Sequence, residues 1–242
     1  MSFVRIFVLA VPGIAGILLS LSRGLHLMIR RWLFAISAAG MIAASPTVVS
    51  AQTITFGEAN VGEQPGGFEF ARTGSGPLGQ WEIVQDDGAE GRKALAQVSA
   101  DRTDYRFPLA IYAALTAKNV EIATHFKPIS GQEDQAGGLV VRLSDANNYY
   151  VARANALENN VRFYRVTSGR RQQLATANAK VAAGQWHTLT LRAEGDRFMV
   201  SFDGKTLHTT TDRTFRSAGK VGLWTKSDSV THFDRIEIKQ LP

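Results

Sequence analysis

Residues 137–155 read GGLVVRLSDANNYYVARAN, and residues 219–238 read GKVGLWTKSDSVTHFDRIEI. Both stretches are built from short β-branched and aromatic runs that Gly, Ser, Asp and Asn interrupt. In the first, Leu139, Val141 and Leu143 form one apolar set, because alternate side chains of a strand point to the same face. The pattern predicts antiparallel strands that each have one dry face and one wetter face.

The same pattern continues outward through residues 52–242, where no helical window of ten or more residues occurs. Asp203-Gly204 predicts a two-residue hairpin turn, because both turn positions need positive φ. Residues 52–94 are rich in Gly and predict loops with an edge strand near Trp81–Gln85. The other strands are expected at Val120–Lys127, Gly138–Leu143, Asn148–Asn155, Asn160–Val166, His187–Ala193, Arg197–Phe202, Lys220–Thr225 and Thr231–Lys239. Together they predict an all-β, antiparallel two-sheet sandwich.

The first 51 residues have a different composition and predict a leader with a signal helix. Arg30-Arg31 precede the apolar run Trp32–Ala44, and Val49-Ser50-Ala51 offers small residues for cleavage after Ala51. The natural start of this signal is Met28. We therefore expect a periplasmic or secreted protein whose mature domain is 52–242 and which keeps no membrane span. A retained N-terminal anchor is the alternative.

Charge and cysteine content exclude several classes of function. The chain has 27 basic and 21 acidic residues, but residues 1–51 hold four of the basic residues and none of the acidic ones. The rest of the chain is therefore nearly neutral and has no basic cluster of the kind that binds nucleic acid. It contains no cysteine, which excludes disulfides, thiolate metal sites and a cysteine nucleophile.

The order of motifs resembles the concanavalin A-like lectin/glucanase superfamily, and within it the bacterial laminin G-like domains and the 3-keto-disaccharide hydrolase family. The resemblance rests on the two stretches quoted above, on residues 184–202 (GQWHTLTLRAEGDRFMVSF) and on the hairpin after them. It covers about residues 68–238. It implies a jelly roll that meets a glycan on its concave face or loop rim, and it also implies that some members only bind. One fold hosts many functions, so the motifs indicate the fold more specifically than the activity.

Alternation along the strands predicts a sugar-binding face of basic and aromatic residues. Aromatic rings stack on the apolar faces of sugars, and Arg and Asn donate hydrogen bonds to hydroxyl groups. The predicted ligand-binding residues are Arg142, Tyr149, Arg153, Asn155 and Trp224. An ordinary solvated sheet face, with Arg stems lying over aromatic rings, is the structural alternative.

No catalytic motif is specific enough to name a reaction. The ExDxxE string of family-16 glucanases is absent, and no histidine pair has the spacing of a zinc site. The catalytic candidates are Glu121, His125, Glu133 and Asp134, each of which also fits a surface position. No cofactor is expected, although calcium stays open through Asp203, Asp228 and Asp234. Three functions remain: an exported carbohydrate-binding domain, a 3-keto-disaccharide hydrolase-type enzyme, and an envelope protein-interaction domain.

Overall fold

The computed structural model describes residues 51–242, so the predicted leader, including its start at Met28, lies outside the described residues except for Ala51. Within 51–242 the regular structure is β apart from one 3₁₀ turn at Glu90–Arg92. The strands are β1 Ala51–Thr55, β2 Phe68–Gly74, β3 Trp81–Gln85, β4 Lys93–Gln97, β5 Arg106–Ala117, β6 Val120–Ser130, β7 Ala136–Asp145, β8 Asn148–Asn155, β9 Asn160–Thr167, β10 Arg170–Asn178, β11 His187–Glu194, β12 Arg197–Phe202, β13 Lys205–Thr211, β14 Gly219–Thr225 and β15 Val230–Gln240.

These strands form two antiparallel sheets, which confirms the predicted sandwich. Sheet A has the order β13-β12-β11-β6-β15-β4-β3, with β1 paired to β15. Sheet B has the order β10-β9-β8-β7-β14-β5-β2. The predicted hairpin joins β12 to β13, where Asp203 and Gly204 have φ of 46° and 77°. The chain passes between the two sheets several times, for example from β5 to β6 and from β6 to β7.

The main hydrophobic core lies between the two sheets. Sheet A contributes Ile122, Phe126 and Phe198, and sheet B contributes Leu139 and Leu223, all of them buried. The apolar side chains that alternate along β6, β12 and β14 face this core. On each strand, the side chains that alternate with these core residues therefore lie on the outer faces of the sandwich.

Sheet B curls strongly over its outer face. Thr73 Oγ1 on β2 lies 2.7 Å from the Tyr149 hydroxyl on β8, although β5, β14 and β7 separate these strands. In a flat sheet the two strands would be about 19 Å apart. The backbone amide of Arg171 on β10 likewise donates to the Tyr105 hydroxyl at 2.8 Å, next to β5. We call this side of sheet B the curled face.

A second hydrophobic cluster fills the curled face, so this face is drier than the sequence predicted. Its members are Phe107, Leu109, Ile111, Ala136, Val140, Leu143, Tyr149, Val151, Tyr164, Val166 and Trp224. Gly222 lies on the same strand face as Trp224, and a Cβ there would come within 2.4 Å of the Ala110 carbonyl oxygen. The close approach of β5 and β14 therefore requires glycine at this position.

A bulge in β7 changes the predicted faces of that strand. Regular pairing with β8 breaks between Val141 and Asp145, and Arg142 has a φ of 51°. Leu143 consequently joins the cluster of the curled face, whereas Leu139 and Val141 face the main core. The prediction that these three residues share one face was wrong, because the bulge shifts the alternation by one residue.

No helix within residues 51–242 is both long enough and apolar enough to cross a membrane.

Candidate functional site

One end of the curled face carries a group of charged and polar side chains, which we call the Asp134 cluster. Asp134 comes from the loop before β7, Lys226 follows β14, and the other members come from the β8–β9 hairpin. The members are Asp134, Arg153, Asn155, Glu158, Asn160, Arg162, Tyr164 and Lys226. The cluster is thus assembled from three separate parts of the chain on one sheet.

The loop that carries Asp134 is held by the carboxylate of Asp228. The consecutive backbone amides of Gln132, Glu133 and Asp134 all donate to this carboxylate, at 2.6, 3.1 and 3.0 Å. Burial alone would raise the pKa of Asp228, but the amide hydrogen bonds outweigh it and hold the pKa below its ordinary value. Gly131 opens the loop at a φ of 152°, and a Cβ there would lie 1.9 Å from the Asp134 carbonyl oxygen.

Asp134 itself is a buried carboxyl group, 2% exposed. Its Oδ1 accepts a hydrogen bond from Asn155 Nδ2 at 2.7 Å, and its Oδ2 lies 2.5 Å from Lys226 Nζ. Burial raises the pKa of Asp134 above the ordinary value, although the ammonium group of Lys226 opposes this shift. Asp134 therefore holds a proton more readily than an exposed aspartate does.

The pKa of Glu158 is shifted in the opposite direction, below its ordinary value. Its Oε2 lies 2.8 Å from Arg153, 3.0 Å from Arg162 and 3.0 Å from the side-chain amide of Asn160. Burial alone would raise the pKa of Glu158, but Asn160 and the two guanidinium groups lower it below the ordinary value. The surroundings therefore move the pKa values of Glu158 and Asp134 in opposite directions.

The hydroxyl of Tyr164 lies among cations. Arg162 and Arg153 donate to it at 3.4 and 3.5 Å, and the guanidinium of Arg171 lies 4.7 Å from the centre of its ring. Burial alone would raise the pKa of Tyr164, but the charge of Arg153, the hydrogen bond from Arg162 and the charge of Arg171 lower it. The phenol therefore loses its proton more readily than its burial alone would allow.

Aromatic rings occupy the rest of the curled face. Trp224 stacks on Phe107 with ring centres 5.3 Å apart, and Arg171 lies over both rings. Gly138 lies between this aromatic part and the Asp134 cluster. A Cβ on Gly138 would lie 3.2 Å from both Arg153 Cβ and Trp224 Cε3. A side chain at this position would therefore crowd both Arg153 and the indole ring of Trp224.

This arrangement suits proton transfer next to a bound sugar. Two carboxyl groups whose surroundings move their pKa values in opposite directions are the usual arrangement of a general acid and an ionised partner. The neighbouring Arg, Lys and Asn side chains offer hydrogen-bond donors to hydroxyl or carbonyl oxygens. The aromatic part offers an apolar surface, which ligand sites commonly combine with a few polar groups.

The structure brings together four of the five predicted ligand-binding residues. Tyr149, Arg153, Asn155 and Trp224 lie on the curled face, but Arg142 does not. The bulge turns Arg142 toward the edge of the main core, where its guanidinium lies 5.1 Å from the Phe198 ring.

There Arg142 donates to the carbonyl oxygens of Lys118 at 3.0 Å, of Phe215 at 2.8 Å and of Gly195. These bonds join loops from both sheets and give Arg142 a structural role. The prediction that it shares a wetter face with Arg153 was wrong, because the left-handed backbone at the bulge redirects its side chain.

The four catalytic candidates are divided between opposite sides of the sandwich. Glu133 and Asp134 lie in the loop of the Asp134 cluster, whereas Glu121 and His125 lie on the outer face of sheet A. Glu121 pairs there with Arg192 at 3.1 Å. His125 Nδ1 lies 3.2 Å from Asp234, and its ring stacks on Trp186. The candidates therefore cannot form one site.

Sequence reasoning missed five members of the cluster and Arg171; the five are Glu158, Asn160, Arg162, Tyr164 and Lys226. Alternation within the predicted strand Asn160–Val166 places Arg162 and Tyr164 on one face, which was the available signal. Glu158 and Lys226 lie in turns, where alternation gives no direction. β10 has no apolar alternation, so the sequence gives no direction for the side chain of Arg171.

The three candidate calcium ligands lie apart, and each has partners within the protein. Asp203 bonds to His187, Asp228 holds the loop described above, and Asp234 accepts from the amide of Glu90 at 2.8 Å. Within residues 51–242 no group of three or more His, Asp and Glu side chains is arranged to hold a metal ion.

Residues 79–239 match a family model described as the 3-keto-alpha-glucoside-1,2-lyase-like domain. The chain belongs to this family. The match runs from just before β3 to the end of β15 and includes every member of the Asp134 cluster. A search of curated protein sequences gives no match for this lyase-like domain.

Solved structures with the same fold include proteins that bind or cleave sugars. The carbohydrate-binding module CBM66 from Bacillus subtilis is 23% identical over 68% of this chain and 91% of its own, with a TM-score of 0.53. The β-glucanase of Bacillus licheniformis is 12% identical over 79% of this chain and 98% of its own, with a TM-score of 0.52. The exoplasmic/lumenal domain of VIP36, in its Ca2+/Man3GlcNAc-bound form, is 12% identical over 73% and 84%, with a TM-score of 0.53.

At these identities the similarity shows the fold alone. It confirms the expected concanavalin A-like architecture for the lyase-like domain, and the family match confirms the resemblance to the 3-keto-disaccharide hydrolase family.

Proposed function

We propose that the chain binds a glycoside on the curled face and cleaves a 3-keto glucoside there by elimination across C1 and C2 of the sugar. The observation that carries this proposal is the Asp134 cluster, in which a buried carboxyl group with a raised pKa lies beside an ionised carboxylate and a tyrosine with a lowered pKa. The family description, a 3-keto-alpha-glucoside-1,2-lyase-like domain, supports the choice of substrate.

The reaction follows from the chemistry of a ketone at C3. The ketone makes the proton on C2 acidic, because the carbanion left behind is stabilised as an enolate. A base removes that proton, the bond between C1 and the glycosidic oxygen breaks, and a C1–C2 double bond forms. The leaving oxygen takes a proton from an acid. The protein must therefore supply a base, an acid and positive charge near the enolate oxygen.

The Asp134 cluster contains groups for each of these tasks. In our proposal Asp134 is the acid that protonates the leaving oxygen, since burial favours its protonated form. Tyr164 is the base, because Arg153 and Arg162 stabilise its phenolate. Lys226 lies 2.5 Å from the carboxyl group and Arg153 lies 3.5 Å from the phenol, and these two cations would stabilise the enolate oxygen.

Product analysis tests this proposal. The purified protein would be incubated with methyl 3-keto-α-glucoside, and with methyl α-glucoside as the unoxidised control, in isotopically labelled water. We expect cleavage of the keto sugar alone, and an unsaturated product that carries no oxygen from water. Oxygen from water at C1 in the first product would indicate hydrolysis instead. Intact keto sugar would contradict cleavage of either kind.

A matched pair of variants then links the reaction to the cluster. Asp134→Asn removes the acid and should lower kcat by about 10²–10⁴-fold. Asp196→Asn is the control, because Asp196 is a partly exposed residue that pairs with Arg213 at 2.9 Å in a turn of sheet A. Equal activity of the two variants would contradict the assignment of Asp134.

A carbohydrate-binding domain without catalysis is the second candidate. It is favoured by the internal pairing of the cluster, in which Lys226 pairs with Asp134, and Arg153 and Arg162 pair with Glu158. Such a network can serve as a rigid surface that donates hydrogen bonds to sugar hydroxyls. Binding of methyl 3-keto-α-glucoside without any product would identify this function.

Export remains part of the proposal. Its support is the sequence of Arg30-Arg31, the apolar run after them and the small residues that end at Ala51. Mass spectrometry of protein secreted by expressing cells should then find Gln52 as the first residue. A first residue upstream of Met28 would contradict a cleaved leader.

A further inference from the structure

The guanidinium of Arg171 differs from the other cations of the curled face because it has no anionic partner. Arg153 and Arg162 pair with Glu158, and Lys226 pairs with Asp134. Among residues 51–242, by contrast, no carboxylate lies within ion-pair distance of Arg171, and its side chain donates no hydrogen bond to them. Its Nε is also buried without a partner.

Aromatic rings hold this guanidinium in place. It lies 4.4 Å from the centre of the Phe107 ring, 4.7 Å from Tyr164 and 5.9 Å from both Tyr105 and Trp224. Stacking over rings is favourable for a cation, but it satisfies none of the five N–H groups of the guanidinium. The side chain is therefore oriented by its surroundings, while the N–H groups of its two terminal nitrogens have no partner among the described residues and stay free to bind a ligand.

The position of Arg171 places those donors at the proposed site. Arg171 and Arg153 both lie over the ring of Tyr164, at 4.7 and 6.0 Å from its centre. The positive charge of Arg171 also opposes the rise that burial causes in the pKa of Tyr149, and it helps to lower the pKa of Tyr164. A ligand that contacts the Asp134 cluster therefore comes within the field of an unpaired positive charge.

We propose that Arg171 binds a carboxylate carried by the glycoside, so that the preferred ligand of the curled face is an acidic glycoside. This inference rests on the proposed function, since it assigns the class of ligand for the same site. The planar fork of a guanidinium matches the two oxygens of a carboxylate, and such charge-assisted pairs are stronger than neutral hydrogen bonds. The carboxylate can belong to a uronic acid or to the group attached at C1.

Binding by the full-length protein tests the proposal and separates the two sources. Three probes lack the C3 ketone and are not cleaved: methyl α-glucoside, methyl α-glucuronide and 4-carboxyphenyl α-glucoside. We expect calorimetry to show about tenfold tighter binding of one carboxylated probe than of methyl α-glucoside. The probe that gains affinity identifies whether the carboxylate belongs to the sugar or to the C1 substituent.

Variants at Arg171 show whether this residue causes the preference. Arg171→Met keeps the length of the side chain, removes its charge, and should reduce the ratio of the affinities for the carboxylated probe and for methyl α-glucoside to about one. Arg171→Lys keeps the charge and should retain part of the preference, which provides a test if the Met variant does not fold. Arg170→Met is the matched control, since Arg170 is the exposed neighbour on the same strand.

The outcomes distinguish this inference from the proposed function. Equal affinity for all three probes, or an equal loss for all of them in Arg171→Met, would overturn the role of Arg171 and leave glycoside binding intact. Failure of every probe and of methyl 3-keto-α-glucoside to bind would overturn both.

Discussion

Asp228 should determine whether the Asp134 cluster forms at all. The substitution Asp228→Asn keeps the size of the side chain but replaces one carboxylate oxygen with an amide NH2 group. In the wild-type protein three backbone amides donate to the two carboxylate oxygens of Asp228, and the shortest of these hydrogen bonds, from Gln132 N, is 2.6 Å long. In the variant at least one of these amides faces another donor. A hydrogen bond to a charged group contributes about 1.5–3 kcal/mol, and a buried donor left without a partner costs about 1–3 kcal/mol.

We therefore expect Asp228→Asn to lower the free energy of unfolding by about 3 kcal/mol at neutral pH. For a domain of this size that loss corresponds to a decrease in Tm of about 6–12 °C. Guanidinium unfolding followed by circular dichroism measures the free energy, and a thermal scan measures Tm. Asp196→Asn serves again as the surface control and should leave both quantities unchanged.

The pH dependence gives this prediction a second test. The pKa of Asp228 is lowered in the folded protein, so its ionised form stabilises the fold above the unfolded-state pKa, about 3.9. This stabilisation is lost as the pH falls through the folded-state pKa. The difference between wild type and Asp228→Asn should therefore be largest near pH 7 and should shrink below about pH 4. A difference under about 0.5 kcal/mol at pH 7, or one of equal size at low pH, would refute the reasoning.

Three further predictions concern other parts of the fold. Gly222→Ala should destabilise the protein by about 1–3 kcal/mol in urea unfolding, because the added Cβ meets the Ala110 carbonyl oxygen, whereas Gly66→Ala, with open space around it, should be neutral. Arg106→Met should cost at least about 3 kcal/mol in the same assay, since this buried guanidinium donates to four backbone carbonyl oxygens, and an unchanged midpoint would contradict that role. Burial raises the pKa of Tyr149 to about 12, so its phenol should ionise later than that of an exposed tyrosine in a spectrophotometric titration. Its contribution to stability should be present below about pH 10 and lost as the pH rises through 12; a phenol that titrates near pH 10 in the native protein would contradict this.

The fold could be predicted where strands are dry on one face and turns have specific residues. The run in β6 and the Asp203-Gly204 turn are examples, and both are confirmed. β5 was missed because it is buried on both faces, so Phe107 and Ala110 give no alternation, and Pro108 argues against a strand. β10 was missed for the opposite reason, since most of it is polar and exposed.

The site could be predicted only in part, because it depends on the curl of sheet B. Alternation correctly placed Arg153, Asn155 and Trp224 on one face. It could not show that the face rolls up until Arg171 lies over Trp224, because that contact joins strands four places apart in the sheet. Nor could it place Asp134, whose position is fixed by backbone amides that bond to a distant carboxylate.

The central claim is that a glycoside binds on the curled face, at the Asp134 cluster. The most direct test is a titration of isotope-labelled protein with methyl 3-keto-α-glucoside, followed by two-dimensional amide NMR. We predict that the backbone amides of Asp134, Asn155 and Tyr164 shift, while those of Glu121 and Thr188 on sheet A stay in place. Shifts confined to sheet A, or none at all, would contradict the account.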